Sequence, residues 1–208
     1  MLTLEVEPDS VAEMFGSRIH LARTYATDLA ADGERLGLIG PLELPRLWSR
    51  HILNCVLLAP LLVAGRVGDI GSGAGLPGMV LAIARPDVRL ILIEPMERRS
   101  RWLSDEATRL GLSNVEVVRA RAEQLTLPAP LDQVTARAVS SLSRLIPGTA
   151  HLLAPGGEML FMKGSRADEE LAAAAAEIKK FGLSNARVVL LGDESAPEAT
   201  RLFRATVA

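Results

Sequence analysis

The stretch that decides the fold is Val67-Gly68-Asp69-Ile70-Gly71-Ser72-Gly73-Ala74-Gly75-Leu76-Pro77-Gly78. A short apolar run leads into glycines at alternate positions, and an apolar run compatible with a helix follows. Glycine has no Cβ and tolerates positive φ, so it suits a turn at which the backbone approaches a ligand closely. The stretch therefore predicts a strand, a turn and a helix. It also predicts a ligand site, because open α/β sheets bind ligands beyond the carboxyl ends of their strands.

Strand and helix patterns alternate on both sides of this corner. Strands are predicted over residues 67–70, 89–94, 115–119, 131–137 and 158–163, and helices over 78–84, 97–110, 142–153 and 167–181. Residues 187–191 and 201–207 are typical of a closing antiparallel pair. The alternation indicates an α/β domain over residues 65–208, with a doubly wound, mostly parallel, seven-stranded sheet.

Residues 1–64 carry helical patterns and predict an N-terminal helical extension packed on this domain. Ser10 and Glu13 fit a capping box at the start of the first helix. After a glycine-containing loop, residues 44–63 predict a second, continuous helix.

Length and composition set the broad class. The chain has 208 residues, of which 49% are hydrophobic, and its net charge is −2. The single cysteine, Cys55, excludes an intramolecular disulfide and a multi-cysteine metal site, and no metal is expected. The longest apolar run, residues 52–64, is too short to span a bilayer, and the first residues lack a signal-peptide pattern. We expect a cytoplasmic protein without membrane contact, and a monomer.

Two nucleotide-like ligands compete for the glycine turn. Nicotinamide and flavin sites expect G-x-G-x-x-G, whereas this turn has glycines at residues 71, 73 and 75, with Asp69 before them. That pattern resembles the first motif of S-adenosylmethionine methyltransferases. Glu94 ends the next predicted strand, where an acid accepts hydrogen bonds from the ribose of either ligand. The chain is short for a dehydrogenase, which favours S-adenosylmethionine.

The segment from Asp69 to Asp87 closely resembles the bacterial small-subunit ribosomal RNA guanine-N7 methyltransferases, also called the glucose-inhibited division protein B family. The Leu76-Pro77-Gly78 extension distinguishes this family from generic methyltransferases. Further matching segments are Leu47-Trp-Ser-Arg-His-Ile-Leu-Asn54, Arg121-Ala-Glu123, Ala136-Arg-Ala138 and Met162-Lys-Gly164. The resemblance spans about residues 10–165, and the tail beyond Gly164 is assigned only a structural role.

The resemblance implies a site for S-adenosylmethionine beside a surface for 16S ribosomal RNA. The predicted cofactor-binding residues are Asp69, Gly71, Gly73, Leu76, Glu94, Ala122, Glu123 and Arg137. The predicted RNA-binding residues are Arg50, His51, Asn54, Arg98, Arg99 and Lys163. Guanine N7 has a lone pair and no proton, so no general base is required. No residue is assigned a certain catalytic role; Arg137 and Lys163 are candidates for positioning.

The charge pattern locates the expected RNA surface. Between residues 85 and 101, five arginines and three acids give a net charge of +2, whereas residues 1–40 carry −4. Because each phosphate contact needs a cation, we expect modest affinity for naked RNA and a substrate within the small ribosomal subunit. Two alternatives remain open: a methyltransferase for a small molecule, and a non-enzymatic S-adenosylmethionine-binding or ribosome-assembly factor.

Overall fold

A computed structural model describes residues 3–192 and 200–208, and its seven strands form one sheet. The strands are β1 Arg66–Ile70, β2 Arg89–Ile93, β3 Val115–Val118, β4 Leu131–Arg137, β5 Leu153–Lys163, β6 Ser184–Leu191 and β7 Thr200–Thr206. Their order is β3-β2-β1-β4-β5-β7-β6, and β7 runs antiparallel to both its neighbours. The predicted doubly wound, mostly parallel, seven-stranded sheet is confirmed.

Helices cover both faces of the sheet. They are α1 Asp9–Phe15, α2 Ile19–Asp32, α3 Asn54–Val56, α4 Gly78–Ala84, α5 Glu97–Arg109, α6 Leu142–Thr149, α7 Ala167–Ala173 and α8 Ala175–Lys180. In β2, Leu90 and Leu92 join the apolar cluster beneath α2, α4 and α5, whereas Ile91 and Ile93 join the cluster beneath α6. Burial on both faces explains why β2 is a continuous apolar run. Within the described ranges, no helix has the length and apolar character needed to cross a membrane.

The second helix of the extension is less regular than predicted. A 3-10 turn, Leu44–Arg46, precedes a π-helical segment, Leu47–Leu53, and α3 is followed by another 3-10 turn, Ala59–Leu61. The prediction of one continuous helix over residues 44–63 is therefore wrong. Its apolar pattern is compatible with any of these helix types, so the sequence does not distinguish them.

Three other helical predictions need correction. Pro8 has extended backbone and α1 begins at Asp9 without a side-chain cap, so the predicted capping box is wrong. The helix expected over residues 142–153 ends as α6 at Thr149 and continues as a 3-10 turn. The alanine-rich helix divides into α7 and α8 at Ala174, where ψ is 10°.

Gln133 of β4 attaches the extension to the sheet. Its side-chain nitrogen donates to the Leu61 carbonyl and to the Glu158 carboxylate, both at 3.0 Å, and its oxygen accepts from the Val63 amide at 2.9 Å. Gln133 is 1% exposed, so its side-chain amide depends on these protein partners for its hydrogen bonds. The boundary between extension and domain stays a prediction, but the two share one apolar cluster.

Replacing this buried amide tests the attachment. We expect Gln133→Leu to lower the free energy of unfolding by about 2 kcal/mol, because it removes three hydrogen bonds that each contribute about 1 kcal/mol at most, and solvent replaces part of them. Urea unfolding measures the change. Gln124→Leu, at an exposed glutamine, is the matched control, and equal effects of the two substitutions would contradict the proposed attachment.

Glu106 is a buried carboxyl group where α5 packs near α2. It is 1% exposed, and within the described ranges neither carboxylate oxygen has a hydrogen-bond partner, although Arg109 Nε lies 3.8 Å from Oε2. Burial, with the charge of Asp28 as a smaller contribution, raises the pKa of Glu106 to about 7. In the folded chain this carboxyl group therefore keeps its proton up to a pH of about 7.

This group gives stability a defined pH dependence. Its contribution is fully present below the unfolded pKa, about 4.3, and is lost as pH rises through about 7. We expect Glu106→Gln to be about 2 kcal/mol more stable than the parent at pH 8 and to approach it at pH 5. Denaturant unfolding at both pH values measures this, with the exposed Glu169→Gln as control. A difference independent of pH would refute the assignment.

Candidate functional site

The glycine corner, defined as residues 71–78, follows β1 at the carboxyl edge of the sheet. Gly71, Gly73 and Gly75 have φ angles of 66°, 56° and 88°, which residues with a Cβ rarely adopt. The Gly71 amide donates to the Ile93 carbonyl of β2 at 2.8 Å. The turn predicted from the alternate glycines is present, and its backbone is tied to the neighbouring strand.

Asp69 lies beneath the corner rather than at its surface. It is fully buried, and its Oδ2 accepts from the Gly78 amide at 3.0 Å, while Oδ1 has no hydrogen-bond partner among the described residues. Burial raises the pKa of Asp69 to about 7. The structure therefore gives Asp69 a direct contact with the start of α4, which shapes the corner.

Glu94 meets the same corner from the end of β2. Its Oε2 accepts from the Gly73 amide and its Oε1 from the Met96 amide, both at 2.9 Å. Carboxylate oxygens accept more than one hydrogen bond, so the group retains acceptor capacity. Glu94 therefore lies against the corner, and its predicted contact with the ribose stays a prediction.

The remaining predicted cofactor residues lie around this edge. Leu76 is half-buried within the corner, and Ala122 is buried in a 3-10 turn after β3. Glu123 is exposed and packs beside Gly148 of α6, where an added Cβ would lie 3.3 Å from its Cγ. The predicted cofactor residues after β1, β2 and β3 thus follow one another along the carboxyl edge of the sheet.

Tyr25 supports the corner from the extension. Its ring is fully buried, and its hydroxyl donates to the Ala74 carbonyl at 2.8 Å. Burial raises the pKa of Tyr25 well above its usual value, so the phenol keeps its proton. Tyr25 was not among the predicted site residues, and its one signal in the sequence is a hydroxyl on the apolar face of a predicted helix.

A polar cavity of about 770 Å³ opens at the carboxyl ends of β4 and β5. In the described part of the chain its lining includes four basic side chains and one acidic side chain: Arg50, Arg137, Lys163, Arg201 and Glu170. Asn54 and Val139 also line it. Val139 connects the cavity to the corner, because a Cβ at Gly71 would lie 2.9 Å from its Cγ2.

Arg137 is held against the extension. Its Nη2 donates to His51 Nδ1 at 2.6 Å and lies 3.4 Å from the Arg50 carbonyl, and its Nη1 lies 3.4 Å from Cys55 Sγ. The next residue, Ala138, has a φ of 54°, which is strained for a residue with a Cβ. Such strain often occurs at functional sites, and here it lies at the cavity wall.

Lys163 closes the other side of the cavity. Its side chain is 8% exposed, and its Nζ donates to the Ser140 carbonyl at 2.6 Å and pairs with Glu170 at 2.8 Å. The predicted RNA residues Arg50, Asn54 and Lys163 therefore share one cavity. Their binding roles stay predictions.

Arg98 and Arg99 lie elsewhere, at the start of α5. Arg99 donates to the Gly37 carbonyl at 3.0 Å, and Arg98 lines a separate surface cavity together with Asp32 and Asp105. Other arginines of the predicted basic segment form ion pairs with acids: Arg85 with Asp87, Arg89 with Glu116, and Arg101 with Glu97. The structure places the concentrated positive charge in the polar cavity instead.

The tail beyond Gly164, which was expected to have only a structural role, also supplies side chains to the polar cavity. Glu170 of α7 and Arg201 of β7 both line the polar cavity. No sequence pattern marks either residue, because each lies on an ordinary amphipathic element. Only the folded arrangement of α7 and β7 brings them to the cavity.

The seven-stranded order β3-β2-β1-β4-β5-β7-β6, with β7 antiparallel, a glycine corner after β1 and an acid after β2, matches the class of Rossmann-like methyltransferases. Solved structures of this fold include an S-adenosylmethionine-dependent methyltransferase from Aquifex aeolicus (TM-score 0.59, 18% identity, covering 85% of this chain and 99% of that chain). Another is TYW2 from M. jannaschii in complex with AdoMet (TM-score 0.57, 18% identity, covering 77% and 76%). These similarities confirm the fold.

The chain belongs to the rRNA small subunit methyltransferase G (GidB) family, whose model matches residues 18–198. A relative named ribosomal RNA small subunit methyltransferase G from Leifsonia xyli subsp. xyli is 58% identical, covering 99% of this chain and 98% of its own length. One of the same name from Clavibacter sepedonicus is 57% identical, with the same coverage of both chains. The family predicted from the sequence motifs is confirmed.

The support from Tyr25 can be tested through the ligand. We expect Tyr25→Phe to weaken binding of S-adenosylmethionine about 5-fold, because a net hydrogen bond contributes about 1 kcal/mol and its loss frees the Ala74 peptide. Calorimetric titration measures the dissociation constant. Thr27→Val removes a hydroxyl from the exposed side of the same helix and is the control. Unchanged affinity in Tyr25→Phe would show that the corner needs no such support.

Proposed function

We propose that this protein transfers a methyl group from S-adenosylmethionine to N7 of a guanine in the 16S ribosomal RNA of the small ribosomal subunit. The observation that carries the proposal is the basic polar cavity, which adjoins the glycine corner through Val139. Family membership supports the substrate class, since the relatives are named for the small-subunit RNA.

The residues at the corner fit the methyl donor. A Cβ at Gly71 would collide with Val139, so only glycine allows the backbone of the corner to approach the cavity wall this closely. We assign Gly71, Gly73 and Leu76 to the methionine and ribose side, and Glu94 to the ribose hydroxyls. Ala122 and Glu123 face the adenine. When bound, S-adenosylmethionine supplies a methyl group on a positively charged sulfur, an electrophile that needs no further activation.

The cavity side has to present the guanine. Because N7 has a lone pair and no proton to lose, the protein need only hold the base in line with the methyl group. Well-oriented reactants gain about 7–11 kcal/mol from such positioning. Arg137 and Lys163 are fixed by their contacts at opposite walls, and we assign them to orient the nucleotide.

The RNA is held by charge near the cavity and by shape over a wider surface. Arg50 and Asn54 lie at the cavity wall. Arg98 and Arg99 lie outside the cavity and would contact a more distant part of the RNA. Both ring nitrogens of His51 form hydrogen bonds within the protein. Few cations are free to contact phosphates, so an assembled particle is the favoured substrate over naked RNA. The protein acts as a monomer in the cytoplasm.

Methyl transfer to ribosomal subunits tests this function. With labelled S-adenosylmethionine and small subunits from a strain that lacks this gene, we expect label in 16S RNA as N7-methylguanosine. Lys163→Met should lower kcat/KM at least about 10-fold by removing one charge-assisted contact, whereas Lys179→Met, at an exposed lysine, should not. Label in a small molecule only, or no transfer with bound cofactor, would refute the proposal.

A further inference from the structure

We propose that Glu43 and His51 are positioning residues that hold the Arg137 guanidinium at the wall of the polar cavity. Glu43 lies just before the 3-10 turn Leu44–Arg46, His51 in the π-helical segment, and Arg137 at the end of β4. The extension would then set the geometry of a strand-end residue in the site. The kinetic tests below rest on the proposed function.

The contacts define one tautomer of His51. A guanidinium can only donate hydrogen bonds, and Arg137 Nη2 lies 2.6 Å from His51 Nδ1, so Nδ1 is the acceptor. The ring proton is then on Nε2, which lies 2.5 Å from Glu43 Oε2. A carboxylate can only accept, so both neighbours select the same neutral ring.

Glu43 is itself fixed by Arg46. The Arg46 Nε and Nη2 donate to the two Glu43 oxygens at 3.0 and 2.6 Å. Burial would raise the pKa of Glu43, but the hydrogen bonds from Arg46 and His51 lower it to about 2. Glu43 therefore remains a charged acceptor throughout the working pH range.

The His51 side chain is 12% exposed, and both its nitrogens are used, which favours an internal role over a direct RNA contact. The described charged or titratable groups around the ring and its partners are Glu43, Arg46, Arg50, Cys55 and Arg137, with Tyr25 and Asp69 on the far side of Arg137. Burial and the Arg137 charge lower the pKa of His51, and Glu43 opposes them. Protonation below that pKa would place a hydrogen on Nδ1 and break the contact with Arg137.

Two substitutions of the ring separate positioning from structural support. The amide of Asn overlaps the Nδ1 end of imidazole and can accept from Arg137, whereas the amide of Gln overlaps the Nε2 end and reaches Glu43 instead. We expect His51→Gln to lower kcat about 10- to 100-fold with little change in KM for small subunits, as misplacement of a positioned group does. The unmodified enzyme should lose kcat at acid pH as protonation of His51 breaks the contact with Arg137. His51→Asn should retain most of kcat and should not show this loss.

The anchor is tested separately. Glu43→Ala should lower kcat in the same way as His51→Gln, since neither variant keeps a fixed hydrogen-bond acceptor for Arg137. Glu7→Gln is the matched control, because Glu7 also pairs with an arginine, Arg23 at 2.7 Å, on the same extension and contacts none of these three residues. Equal losses in His51→Asn and His51→Gln, or a persistent acid limb in His51→Asn, would overturn the proposal.

A spectroscopic measurement on the unmodified protein tests the proposal even if the variants fail to fold. Nitrogen-15 spectra of the unmodified protein with labelled histidine should show His51 neutral at pH 7.5 with its proton on Nε2, and a proton on Nδ1 would overturn the proposal. This result does not depend on the substrate. Absence of N7-methylguanosine with the unmodified enzyme would instead count against the proposed function. The tautomer of His51 would still test the contacts that join Glu43, His51 and Arg137.

Discussion

The close approach of α4 to β1 is the constraint on which the site depends. A Cβ at Gly78 would lie 2.6 Å from Asp69 Oδ2, so the helix can begin there only with glycine. The same approach lets the buried Asp69 accept the Gly78 amide. Because this contact fixes where α4 starts, it also fixes the width of the glycine corner between strand and helix. The cost is a carboxyl group held away from water, which its raised pKa reflects.

The polar cavity is assembled from parts that are far apart in sequence. The extension supplies Arg50 and Asn54, β4 supplies Arg137, and the tail supplies Arg201. This arrangement explains how a chain of net charge −2 can present a basic site: acids neutralise many exposed arginines, while the strand order concentrates cations at one edge. A local field of this kind governs encounter with a polyanion more than the net charge does.

Local patterns predicted the sheet, the corner and the family motifs, because apolar runs and glycine spacing act within a few residues. The π-helical segment was not predictable, since its apolar spacing also fits an α-helix. The importance of Tyr25, Glu43 and Glu170 arises from partners distant in sequence, which one sequence does not reveal. The net charge counted over the segment around Arg98 overstates the positive charge available to RNA, because several of its arginines form ion pairs with acids in the folded chain.

A reaction that depends on positioning needs a rigid wall, and the end of β4 shows how that rigidity is obtained. Ala138 holds a φ of 54°, a conformation that persists only when the surroundings over-determine it. The preceding Arg137 contacts three groups of the extension, and Val139 packs over Gly71. The strained residue is thus fixed from both sides, by the extension and by the corner. On this view the extension is part of the catalytic framework, and loosening its irregular helical segment would release the strand end as well.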